Sequence, residues 1–125
     1  MGLVRFALYA APWVFISSPV NAVNTDISTG NDLWYRCTSS NFFDQGLCDG
    51  FIEGVMKGVE TGEDGLRGRM KIPVPTHFSL ICRPDGVTVG QIVDIIKKFL
   101  ADSPQIRHLQ AQTLIYGALT KAFPC

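Results

Sequence analysis

The chain has 125 residues, 11 basic and 11 acidic side chains, 46% hydrophobic residues and four cysteines. That length fits one domain, and a formal charge of zero argues against a dedicated nucleic-acid binder, which carries a clear surplus of Lys and Arg for phosphate. The apolar residues are unevenly spread, 15 of the first 22 against 43 of the remaining 103.

The opening segment is therefore of a different physical class. Met1 to Arg5 carries one positive charge, Phe6 to Ile16 is an apolar run of eleven residues, and Ser17-Ser18-Pro19 breaks it ahead of Val20-Asn21-Ala22. Charged start, short apolar core and small-residue exit are the parts of a secretory signal peptide, and the run is too short to cross a bilayer, which takes about 20 apolar residues. The expectation is a signal peptide over 1–22, cleavage after Ala22, and a mature chain over 23–125 in the periplasm with no membrane association after cleavage.

Export changes how the cysteines read. Four cysteines in a mature chain of this size, in an oxidising compartment, point to two disulfides. No C-x-x-C occurs, and His77 and His108 are the only histidines available as zinc partners, so no metal and no cofactor is expected.

The first helix is predicted over Asn31 to Ser39, with Asp32 in its first turn and Leu33, Trp34 and Cys37 on one side. After a short polar link, Phe43, Leu47, Phe51, Val55 and Val59 recur every four residues, flanked by Cys48, Ile52 and Met56, which predicts an amphipathic second helix. Within it Gly46, Gly50, Gly54, Gly58 and Gly62 share the same period. Each helical glycine costs about 1 kcal/mol relative to alanine, so the ladder calls for an offsetting contact: close approach of another backbone, as a helix-packing or dimer seam along Gly46, Gly50, Gly54 and Gly58.

From Thr61 to Val87 no helical period is visible, and the stretch holds Gly62, Gly65, Gly68, Pro73, Pro75 and Pro84. A connection of this length is usually functional or disordered. Thr88 and Gln91 then match the capping-box spacing, and Val89, Ile92, Val93, Ile96, Phe99 and Leu100 predict a core-facing third helix. Ser103-Pro104 ends it and begins a fourth, carried by Ile106, Leu109, Leu114, Ile115, Ala118, Leu119 and Ala122. The expected fold is all-α, a small four-helix bundle stapled by two disulfides, with a long irregular loop between helices 2 and 3. Three cysteine pairings are open to the sequence. The layout favours Cys37 with Cys48, across the turn of a helical hairpin, and Cys82 with Cys125, where the start of helix 3 meets the end of helix 4.

No catalytic signature stands out. There is no H-E-x-x-H, no G-x-S-x-G and no Gly-rich phosphate loop, His77 and His108 lack a nearby acidic partner in sequence, and the pair Asp49 and Glu53 reads as a solvated helix face. A binder or stabiliser, not an enzyme, is the expectation.

The series Cys48-Asp49-Gly50-Phe51-Ile52-Glu53-Gly54-Val55, then Cys82-Arg83-Pro84-Asp85-Gly86-Val87-Thr88 with Gln91, Phe99-Leu100 ahead of Pro104 and His108, and Ala118-Leu119 with Ala122-Phe123-Pro124-Cys125, resembles the Rap/Tai family of type VI secretion amidase immunity proteins. The resemblance implies a periplasmic helical immunity protein, often a homodimer, that binds a cognate peptidoglycan amidase effector and occludes its active site while doing no chemistry. The segment from Gly62 to Ile81 is longer than is usual in that family and carries a basic patch. Arg67, Arg69, Lys71, His77 and Phe78 are therefore the candidate partner-binding residues, with the glycine ladder as the rival surface. The alternative is a general periplasmic stress chaperone or structural envelope protein on the same scaffold, using the apolar run Phe78 to Ile81.

Overall fold

The computed structural model describes residues 24–70 and 79–125. The expected signal segment, 1–22, and the candidates Lys71, His77 and Phe78 lie outside the described residues. Four α-helices form, α1 (Gly30–Thr38), α2 (Phe42–Arg69), α3 (Val89–Asp102) and α4 (Ala111–Ala122), with a 3-10 turn at Pro104–Ile106 before α4. Every pair of helices is in contact. Among the described residues there is no strand, only an isolated bridge between Thr29 and Gln110. The disulfides are Cys37–Cys48 and Cys82–Cys125, the favoured pairing.

The helix starts follow local chemistry. Thr29 caps α1: its hydroxyl accepts from the Asp32 N–H, and its own N–H donates back to the Asp32 carboxylate at 2.8 Å. The Thr29 hydroxyl donates to the same carboxylate at 2.7 Å, and these bonds hold Asp32 below the ordinary carboxylate range. Thr88 and Gln91 form the predicted capping box of α3. Gly86 precedes it at φ +85, a left-handed conformation that favours glycine and turns the chain into the cap.

Helices α1 and α2 make a hairpin locked at its tip. Asp44, in the first turn of α2, is buried at 6% exposure; it accepts from the Ser39 hydroxyl at 2.8 Å and pairs with Arg36 of α1. The Ser39 bond, then the Arg36 guanidinium, keep its carboxyl below the usual range. Cys37–Cys48 lies beside this pair, with both cysteines buried.

The core is built from Leu33 and Cys37 of α1, Cys48 and Ile52 of α2, Ile92, Ile96 and Leu100 of α3, and Ala111, Leu114, Ile115, Ala118 and Leu119 of α4. On α2 the buried line is thus the flank of the predicted stripe. Phe43 is 51% exposed, and Leu47, Phe51, Val55 and Val59 are half-buried at the edge. A strict four-residue spacing drifts by 40° per step on a helix of 3.6 residues per turn, so the stripe winds across the rim of the core.

Two boundaries differ from expectation. Helix α2 continues through the glycine-rich stretch to Arg69, so Thr61–Arg69 is helical. The ion pair Asp64–Arg67 lies within this extension at i, i+3 spacing, and the buried Glu63 accepts from the Leu80 N–H at 2.8 Å. The last helix starts at Ala111, seven residues after Pro104. The backbone over 107–110 is taken up by the segment around α1's start: Asn31 N–H donates to the Arg107 carbonyl, Gly30 N–H to Leu109, and Ala111 N–H to Ser28. A Cβ on Gly30 would collide with Leu114 Cδ1 and lie 2.9 Å from the Arg107 carbonyl oxygen, so glycine is what permits this approach. Arg107 completes the joint, its guanidinium 4.1 Å from the Trp34 ring centroid and its Nε–H donating to the Leu100 carbonyl at 2.7 Å.

Candidate partner-binding surface

At 28 residues α2 is about 42 Å long, twice the length of α3 with 14 residues and more than twice that of α4 with 12. Beyond Ile52 the only α2 side chain that is fully covered is Glu63. The last turns of α2 therefore extend past the part of the bundle that α3 and α4 can cover.

Two of the five loop candidates fall on this end. Arg67 is half-buried and pairs with Asp64 at 3.3 Å; Arg69 is exposed in the final turn. They are helical residues, not loop residues, which fixes their side chains to a regular backbone instead of an irregular one. Next to them Leu66 is 53% exposed, at the same angular position on α2 as its buried line nearer the start, and Met70, the C-cap residue, and Leu80 are 51% and 44% exposed. Sequence reasoning missed Leu66 and Met70. The signal was present: Val59, Glu63, Leu66 and Met70 follow the i, i+4, i+7 and i+11 positions of one helix face.

The chain returns from this end through Ser79 to Arg83. Between it and α2 lies a cavity of about 40 Å³ lined by Met56, Val59, Glu60, Glu63, Ser79, Ile81 and Arg83, room for little more than a water molecule. The Glu63–Leu80 bond closes one side. The end of the segment is held by the Cys82 N–H donating to the Phe123 carbonyl at 3.1 Å and by the Cys82–Cys125 disulfide.

The glycine ladder occupies another side of α2. Gly46, Gly50, Gly54 and Gly58 are exposed, and a Cβ built on any of them would meet nothing within 4 Å among the described residues beyond its own stretch of helix. Among the described residues no other helix packs against the seam. Half-buried Leu47 and Phe51 and the more exposed Phe43 border it. What the ladder offers is an unfilled groove on the outer face of the longest helix.

His108 is exposed on the turn before α4 and makes no hydrogen bond to the described residues. Among the described residues no group of three or more His, Cys, Asp or Glu side chains is placed to hold a metal ion, and no helix is long and apolar enough to cross a membrane. Two disulfides in a chain without free cysteines fit an oxidising compartment.

Neither the curated proteins nor the solved structures contain a match to this chain. The family model described as Rap1a immunity proteins matches residues 29–125, from the cap of α1 to the last cysteine. Over that span, with its four helices and both disulfides, the chain belongs to the Rap1a immunity protein family.

Proposed function

We propose that the protein is a periplasmic immunity protein, exported with removal of residues 1–22, that binds a cognate peptidoglycan amidase effector of type VI secretion and occludes its active site without catalysing a reaction. Family membership supports an effector-binding role. The observation that carries the choice of surface is the end of α2, where Arg67 and Arg69 stand beside exposed Leu66 and Met70. Arginine and methionine are enriched at protein interfaces and arginine among their hot spots; Lys71 follows Met70 in the chain, with His77 and Phe78 six and seven residues beyond it.

The test is titration calorimetry of the mature chain with its amidase. The double substitution Arg69→Glu, Lys71→Glu is expected to weaken binding by about 30-fold or more, the loss of one hot spot of about 2 kcal/mol. Thermal stability should change little, since Arg69 is exposed. Unchanged affinity would move the contact to another face.

The glycine groove is proposed as a homodimer seam. Its glycines leave space for a second backbone, and an inserted branched side chain would fill that space. Gly54→Leu is expected to shift the mature chain to monomer in sedimentation velocity while leaving its helical content intact. A dimer of unchanged strength would remove the ladder from the interface.

A further inference from the structure

The two disulfides sit in opposite environments. Cys37 and Cys48 are 6% and 1% exposed, inside the core between α1 and α2, whereas Cys82 and Cys125 are both exposed. Thiol–disulfide exchange begins with attack of a thiolate on one sulfur, so access to the bond governs which bond opens first. The two also hold different things. Cys37–Cys48 spans 11 residues inside a hairpin that Arg36, Ser39 and Asp44 already lock. Cys82–Cys125 spans 43 residues and ties the segment returning from the candidate surface to the end of α4. Beside it, that segment is tied by the Cys82–Phe123 backbone bond, the Glu63–Leu80 bond and the packing of half-buried Ile81 against the core.

We propose that Cys82–Cys125 is a redox latch: a dithiol reductant opens it while Cys37–Cys48 stays closed, and opening it releases the Ser79–Cys82 segment from the bundle. One thiolate of the reductant attacks one sulfur of the Cys82–Cys125 pair, breaking the S–S bond and forming a mixed disulfide. The reductant's second thiol then displaces the protein sulfur and leaves as an intramolecular disulfide. The protein gains two electrons and two protons, and Cys82 and Cys125 become thiols. The helical bundle keeps its buried staple and its core.

The experiment uses the mature chain equilibrated with graded dithiothreitol, quenched with iodoacetamide and mapped by mass spectrometry. Cys82 and Cys125 are expected to be alkylated at a reductant concentration at least about tenfold below that needed for Cys37 and Cys48. Hydrogen exchange at the Leu80 and Cys82 amides should rise in that half-reduced form and equally in the Cys82→Ser, Cys125→Ser variant, with protection across α1 and α2 unchanged. Alkylation of all four cysteines at one concentration would overturn the selectivity. Unchanged exchange at Leu80 and Cys82 in the variant would overturn the release.

Discussion

Replacing Cys37 and Cys48 together by alanine is expected to destabilise the mature chain by about 3 kcal/mol from loop closure alone in the chain-entropy model. The bond closes 11 residues of sequence, but it also lies in the core, so its loss leaves space between α1 and α2 that Leu33 and Ile52 must partly fill. That adds to the entropic effect. For a domain of about 100 residues the thermal midpoint should fall by about 10 °C or more. The Arg36, Asp44 and Ser39 contacts at the same corner are left in place, so the hairpin should still form and far-ultraviolet circular dichroism should keep its helical signal at low temperature. A midpoint within a degree or two of the parent would mean that those polar contacts, and not the disulfide, hold the corner.

Ile96→Ala is expected to cost about 2–5 kcal/mol. Ile96 is the middle of the three fully buried side chains of α3, with Ile92 one turn before and Leu100 one turn after. Helix α3 touches each of the other helices, so removing its central side chain opens a cavity that no single neighbour can close. Ile96→Val, which deletes one methyl group, should cost about 0.5–1.5 kcal/mol. Urea unfolding of both variants checks the pair: a graded loss with an unchanged slope fits a core cavity, whereas equal midpoints would place Ile96 outside the cooperative core.

Much of this fold can be read from short-range chemistry. Thr88 and Gln91 announce the start of α3, and the i, i+3, i+4 series from Ile92 to Leu100 identifies its buried face, because both signals involve residues within a turn or two of each other. The disulfide pairing follows from the hairpins once the helices are placed. The failures involve contacts distant in sequence. The end of α2 is hidden by the low helix propensity of Gly62, Gly65 and Gly68, and the bond that ties this end to the chain runs from the Leu80 N–H to Glu63, 17 residues away. The start of α4 is delayed because the backbone near Arg107 pairs with the segment around Gly30, nearly 80 residues earlier.

The candidate surface was only half legible for the same reason. Arg67 and Arg69 were identified by charge, but as loop residues; their helical setting beside Leu66 and Met70 depends on the extension of α2. Asp44 lies outside the apolar stripe of α2, yet Arg36 and Ser39 bring it into the hairpin corner. The glycine ladder calls for a partner, and the described residues supply none within 4 Å of a Cβ at Gly46, Gly50, Gly54 or Gly58. Composition and period identified the unusual feature; only the packing showed that it faces outward.

The proposed neutralisation of an amidase by binding is tested most directly by an inhibition titration. A chain of residues 23–125 is added in steps to the purified cognate effector, and release of cleaved peptide stems from peptidoglycan is followed. Activity is expected to be lost completely near stoichiometric addition, with a complex that survives gel filtration. Full amidase activity at a tenfold excess of the chain would contradict it.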